Sequence, residues 1–362
     1  MKRIIMSVCS IAALLGIILT FASCKSKEEK IAEAIELLNQ EKYAEGLALY
    51  QEIDDVQDTT LLNKLANLYA DGKGFEQDSA KALQLWEKSA NNGNPQAMGQ
   101  LSNAHHYAMG GYKKDDKKAF DWAMKAAELA YAPALRNIGI CYRDGTGVEK
   151  DPQKAIEYFK KAFDKGNTNA MSCLGCMYEE GDGVLVNMEE AIKYFQMAAD
   201  KNDTDAYYEL AYIYYNGKGV KKDLKKAFEY CLKGAELGNA DCQLMVSIFY
   251  FDGKGVEKDT KKAVEWCLKA ANKDHFRAMV CLGAYYEMGV GVEKNDQKAF
   301  EMYKKAAENG FDVAQYYLGM KYYDGVGVAK NKVEAEKWLQ KAADQGFEEA
   351  NRALKKYFGK NK

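Results

Sequence analysis

Cysteine and histidine are the residues here whose side chains could do the most chemistry, and the sequence has nine of the first and three of the second. Thiolates and imidazoles bind metals, and cysteines attack carbonyls or pair as disulfides, but each role demands its own spacing. Cys173 and Cys176 form a Cys-x-x-Cys pair around Leu174. It sits inside an inferred helix and lacks the second pair that a tetrahedral zinc site needs, so it reads as two small core thiols. Cys231 and Cys267 lie 36 residues apart, which is the repeat period derived below. Equivalent positions on neighbouring units are separated by about a helix spacing, beyond disulfide reach. His105 and His106 are adjacent and His275 is remote from them, so no metal-ligand spacing arises. Gly-x-Ser-x-Gly, His-Glu-x-x-His and phosphate-cradling glycine loops are absent. No catalytic residue, metal or cofactor is therefore expected, and the chain reads as a binding protein and not an enzyme.

Charge excludes another class. Lysine and arginine number 51 against 53 acidic residues, a net charge of −2, so no overall field draws the chain to a polyanion and nucleic acid is not an expected partner. The N-terminus differs from everything after it. Lys2 and Arg3 precede an apolar run from Ile4 to Leu19, and Phe-Ala-Ser-Cys ends at Cys24 before the charged Lys-Ser-Lys-Glu-Glu-Lys. This reads as a secretory leader, to be set aside before fold reasoning. Leu19, Ala22, Ser23 and Cys24 resemble the bacterial lipoprotein signal, although Phe21 stands where leucine is more usual. The resemblance implies that residues 1–23 are removed and that Cys24 is lipidated. Several acyl chains on one residue suffice to hold a protein at a membrane. Lys25, in place of the aspartate that favours inner-membrane retention, points to an outer-membrane lipoprotein of the bacterial envelope. Without Cys9 and Cys24 seven cysteines remain, an odd number that cannot pair completely.

The rest of the chain is periodic. Alanine recurs at Ala97, Ala134, Ala170, Ala206, Ala278, Ala314 and Ala350, with Leu61 and Cys242 in the same slot. Gly-x-Gly recurs at Gly145/Gly147, Gly181/Gly183, Gly217/Gly219, Gly253/Gly255, Gly289/Gly291 and Gly325/Gly327, with Gly72/Gly74 one register earlier because of an extra residue near Met-Gly-Gly-Tyr-Lys-Lys-Asp-Asp. A fixed period of this length signals stacked supersecondary units. In residues 134–166, Ala134, Ile138 and Tyr142 fall on one face of a first helix, and Ala155, Tyr158, Phe159 and Ala162 on one face of a second. Asp78, Asp115, Asp151, Asn187, Asp223, Asp259, Asn295 and Asn331 precede the second helices, where a short acceptor caps exposed amides. Asn187 with Glu190 and Asn331 with Glu334 resemble capping boxes. Gly93, Ala130, Gly166, Asn202, Gly238, Asp274, Gly310 and Gly346 follow those helices, mostly residues that tolerate the left-handed region. Ala130 is the exception, so the second unit is expected to have the least regular helix end.

The pattern seen in YELAYIYYNGKGVKKDLKKAFEYCLKGAELG, from Tyr208 to Gly238, resembles the Sel-one-like repeat, a relative of the tetratricopeptide repeat. Eight such copies span residues 59–347. The resemblance implies an all-α, right-handed superhelical solenoid whose first helices line a concave wall, opened by a linker and capping hairpin at 24–58 and closed by a capping helix at 348–362. A monomer is expected. By register with the tetratricopeptide family, partner contacts are expected from Arg136, Arg143, Tyr208, Tyr212, Tyr215, Leu244, Ile248, Phe251, Tyr316 and Tyr323. Tyrosine and arginine dominate binding hot spots; packing between repeats is the other use of the same aromatics. A cysteine-rich branch of the family bridges cysteines eight residues apart, but opposite Cys242 stands Gly234, so that bridge is not expected. The expected partner is a protein or peptide. Two alternatives remain open: a cell-wall hydrolase or penicillin- or peptidoglycan-binding protein of the cysteine-rich branch, and a polysaccharide-binding module whose tyrosines stack on sugars.

Overall fold

The structure, a computed structural model, describes residues 25–359. The leader and Cys24 lie outside the described residues. Among those residues all regular structure is helical: nineteen α-helices and one 3-10 turn. They fall into two compact units divided between Asn167 and Thr168.

The first unit holds α1 (Lys27–Asn39), α2 (Tyr43–Gln51), α3 (Thr59–Asp71), α4 (Ser79–Asn91), α5 (Pro95–His106), α6 (Asp116–Glu128), α7 (Ala132–Asp144) and α8 (Pro152–Asp164). The second holds α9 (Asn169–Glu180), α10 (Met188–Ala199), α11 (Thr204–Asn216), α12 (Leu224–Glu236), α13 (Ala240–Asp252), α14 (Thr260–Ala271), α15 (Phe276–Met288), α16 (Asp296–Glu308), α17 (Asp312–Asp324), α18 (Lys332–Asp344) and α19 (Glu348–Phe358). Within each unit a helix packs on the helices before and after it, except that α3 packs on α1 in preference to α2, and this is the contact pattern of a solenoid.

Local chemistry explains the boundaries. Each of the eight expected caps accepts a backbone N–H from the first turn of its helix, as Asp151 does from Lys154 and Asn295 from Lys298. The expected capping boxes form only by half. Glu190 and Glu334 turn to Lys193 and Lys337 on the same helix, because an ammonium one turn on competes for the carboxylate that should reach back to the cap. A complete box does occur between Ser26 and Glu29 at the start of α1, a position the periodic reading passed over.

Helix ends are set by left-handed residues. The eight positions after the second helices all have positive φ, between 88° and 99° at the five glycines and between 55° and 62° at Ala130, Asn202 and Asp274. A Cβ confines an L-residue to the narrow αL well, whereas glycine opens wider. Ala130 is thus no irregular end: its N–H and that of Tyr131 bond back to Ala127 and Ala126 as the equivalent amides do elsewhere. The extra residue of that repeat is absorbed upstream instead, in the 3-10 turn Met109–Gly111, where Ala108 and Gly110 are left-handed.

The slot alanines, with Leu61 and Cys242, are all buried, so small side chains let helices approach to roughly 8–10 Å. Gly-x-Gly closes the first helix with its first glycine and does something else with its second. A Cβ on Gly147, Gly255, Gly291 or Gly327 would lie 2.0–2.1 Å from the carbonyl oxygen of Asp116, Leu224, Thr260 or Asp296 respectively. Each of these is the first residue of the preceding repeat's second helix. Main chain there rests directly on main chain.

Candidate binding groove

In the second unit four successive first helices, α11, α13, α15 and α17, line a cavity of about 560 Å³. Its apolar floor comprises Leu244, Met245, Ile248 and Val280, with Phe311 and Val313 at one end and Tyr208, Tyr212 and Tyr215 at the other. The tyrosines stand at i, i+4 and i+7 of α11, and Leu244 and Ile248 at i and i+4 of α13, spacings that bring side chains to one helical face. Tyr212, which stacks on Tyr208, is still 44% exposed, and Ile248 is 39% exposed.

Four charged residues, Asp241, Asp252, Lys254 and Arg277, complete the lining. Asp252 pairs with Lys254 at 2.7 Å, and Asp241 with His275 Nε2 at 3.0 Å. The Arg277 side chain forms no hydrogen bond or ion pair among the described residues. The His275 ring is held at both ends, since its Nδ1 also accepts the Ala278 N–H as the cap of α15. The other histidines are equally occupied: His105 stacks on Tyr112 with centroids 4.3 Å apart, and His106 Nδ1 lies 2.7 Å from Asp116.

Five of the residues expected to contact a partner meet in this cavity: Tyr208, Tyr212, Tyr215, Leu244 and Ile248. The other aromatics are engaged by their neighbours. Phe251 stacks on Tyr285 at 5.5 Å, Tyr316 packs on Phe347 at 5.4 Å, and Tyr323 lies against Tyr357 and Phe358 of α19. Arg136 and Arg143 belong to the first unit. Arg143 forks onto Asp144, and the buried Arg136 Nε finds no acceptor. Sequence reasoning missed Arg277, Val280 and Val313, although the period gives them: Val280 repeats the slot of Tyr208 and Leu244, while Arg277 and Val313 repeat that of Asp241.

Next to the tyrosines, burial raises the Glu209 carboxyl to about 7, reinforced by the charges of Glu179, Asp205 and Glu180 and opposed by Lys218. Lys218 is itself bound to Glu179 at 2.8 Å. A carboxyl whose folded pKa lies above the ordinary 4.5 favours folding while protonated, and that contribution fades as pH rises through about 7. The expected result is that Glu209→Gln melts with wild type near about pH 5 but is more stable by about 1–2 kcal/mol near about pH 8, allowing for partial solvent screening. Melting curves at the two pH values check this; equal gains at both would remove Glu209 as the cause.

Among the described residues, five cysteines are shifted away from activation. Burial pushes Cys141 up to about 11, Cys176 to about 12, and the groove-lining Cys281 above its ordinary value. A nucleophilic or metal-binding thiol needs the opposite shift. A Cβ on Gly234 would lie 2.6 Å from Cys242 Sγ, so glycine here seats a free thiol. Among the described residues no three of His, Cys, Asp and Glu are arranged to hold a metal ion.

Comparison with known proteins gives a consistent fold. The sequence matches the Sel1 repeat at residues 62–94, 95–131, 132–167, 168–203, 204–239, 240–275, 277–311 and 312–347. A Sel1 repeat protein from Oxalobacter formigenes is 35% identical, over 70% of this chain and 100% of its own, with a TM-score of 0.61. A protective antigen present in uropathogenic Escherichia coli strains, displaying an SLR fold, is 28% identical over 91% of this chain and 68% of its own, with a TM-score of 0.58. Comparison with curated proteins gave no match.

Proposed function

Since the chain belongs to the Sel1 repeat family, whose members are generally protein-interaction scaffolds, we propose that it is a non-catalytic scaffold of the bacterial envelope that binds a protein or peptide in the tyrosine-lined groove. One observation carries the reading: the groove exposes Tyr212 and Ile248 over an apolar floor, as partner-binding surfaces do. Its occupant presents apolar side chains to the floor and a carboxylate to Arg277. Cys24, through its lipid, holds the scaffold at the outer membrane, which the leader sequence supports.

The test is made with the lipidated protein. Envelope extract passed over it returns a stoichiometric protein that a Tyr212→Ala/Ile248→Asp variant no longer retains. Retention on purified glycan in place of protein would transfer the groove to the polysaccharide reading, and turnover of peptidoglycan by the purified chain would overturn the non-catalytic one. Cys24→Ala moves the protein from the membrane to the soluble fraction; a variant that stays membrane-bound refutes the anchor.

A further inference from the structure

The second repeat, in the first unit, departs from the others in chemistry as well as in length. Elsewhere the cap of a second helix sends its N–H to a tyrosine carbonyl, as Asp151 does to Tyr142 and Asn187 to Tyr178. Here Asp115 sends it to His105, so an imidazole stands where the period puts a phenol. The valine that follows Gly-x-Gly in six copies, at Val148 and its counterparts, is in this copy Tyr112. The two replacements stack on each other, with ring centroids 4.3 Å apart.

Around the stacked rings opens a cavity of about 650 Å³, completed by Lys113, Lys114 and Lys118 and by Glu87 and Asp115. Both carboxylates are already engaged. Glu87 accepts the Tyr112 hydroxyl, and Asp115 accepts the Lys118 backbone N–H at 2.9 Å as the cap of α6. The ammoniums are held more loosely: Lys114 lies 3.4 Å from Asp116 and Lys118 3.6 Å from Asp115, with 61% and 66% of those side chains exposed. Lys113 Nζ has no hydrogen bond or ion pair among the described residues. Surface pairs of this kind hold weakly, so an incoming anion displaces them at little cost.

We propose that this cavity binds a phosphate monoester. A lysine ammonium is a point charge suited to phosphate, whereas the planar fork that matches a carboxylate belongs to arginine. The lining has three lysines and no arginine. A phosphate monoester carries close to two negative charges near neutral pH, a demand that several ammoniums meet and one does not. The cavity has the size of a small-molecule site and exceeds what a bare phosphate fills, so the organic part of the ester lies against the His105–Tyr112 stack. His105 responds to the ligand. Burial and the Lys118 charge hold its pKa below the ordinary value, while Asp115 and Glu87 pull it up; a bound dianion joins the second pair and draws a proton onto the ring. This site shares no residue with the tyrosine groove.

The experiment titrates the full chain by calorimetry with phenyl phosphate and with phenyl sulfate, which has the same shape and a single charge. Saturable binding is expected for the phosphate near about pH 7.5, with at least about a tenfold higher Kd for the sulfate. Lys113→Gln/Lys114→Gln raises the Kd for phenyl phosphate about tenfold or more with melting unchanged, while Ile248→Asp leaves it unaltered. The His105 imidazole signal, identified in proton spectra by its loss in His105→Asn, titrates at higher pH once the site is filled. Phosphatidic acid vesicles, whose headgroup is also a phosphate monoester, form the second arm. Saturation by phenyl phosphate identifies a soluble ester as the ligand, and binding to the vesicles alone, lost in the double lysine variant, identifies a lipid headgroup. No binding in either arm, equal affinity for phosphate and sulfate, indifference to the double substitution, or a His105 titration unmoved by saturating phenyl phosphate would overturn the proposal, and none of these results bears on the tyrosine groove.

Discussion

Gly255→Ala lowers the free energy of unfolding by about 3 kcal/mol, while Gly253→Ala, two residues away, costs about 1 kcal/mol. Both glycines are left-handed, with φ of 71° and 70°, so both substitutions carry the same αL penalty. The surroundings separate them. A Cβ at Gly253 meets the Lys258 Cβ at 3.0 Å, a side-chain stem that can yield slightly, whereas at Gly255 it falls 2.1 Å from Leu224 O and 2.6 Å from Leu224 C. That carbonyl opens α12 and cannot retreat without moving the helix. The loop must lift, and the contact between neighbouring repeats opens with it. Thermal melts of the two variants followed by circular dichroism should show a drop on the order of 5–10 °C for the first and a few degrees for the second. Equal losses would mean that φ alone governs the motif.

The other large effect concerns binding. Tyr212→Ala/Ile248→Asp should weaken the captured partner on the order of 100-fold, about 3 kcal/mol, because it removes a hot-spot ring and puts a carboxylate on the apolar floor. Melting should stay unchanged, since both positions are solvent-exposed. Tyr215→Ala is the contrast. Its ring is edge-on to the buried Phe249 at 5.7 Å, so its loss should lower the melting temperature. Calorimetric titration with the captured partner, run beside the melts, separates the two roles; a Tyr212→Ala protein that melts early would return that ring to the core.

The ease of reading these features from sequence tracks how local their physics is. Asp151 and its seven counterparts were legible as caps because the acceptor and the amide it binds lie within four residues. Ala130 was misjudged because residue type sets the cost of a left-handed conformation and not whether the chain adopts it; flanking hydrogen bonds impose it there as at the glycines. The capping boxes of Asn187 and Asn331 failed for want of one more residue of context, the lysine a turn later. In the groove, register placed Tyr208, Tyr212, Tyr215, Leu244 and Ile248 on one wall, but nothing in the identity of Tyr323 reveals that α19 will cover it. The main-chain contact at Gly147 and Gly255 is the least local feature. In sequence those glycines look like turn residues, and only the fold shows which carbonyl lies beneath them.

That contact bears on how such a chain can diversify. Where a loop clasps the preceding repeat's helix by backbone alone, the clasp is blind to side chains, and adjoining modules keep their pitch whatever decorates the first helices. Counted by the period, Asn67 and Asn103 occupy the position that Tyr212 and Ile248 occupy later in the chain. One scaffold rule can thus present carboxamides in one stretch and rings or aliphatics in another, and a new specificity can be written into a module without renegotiating its fit to its neighbours.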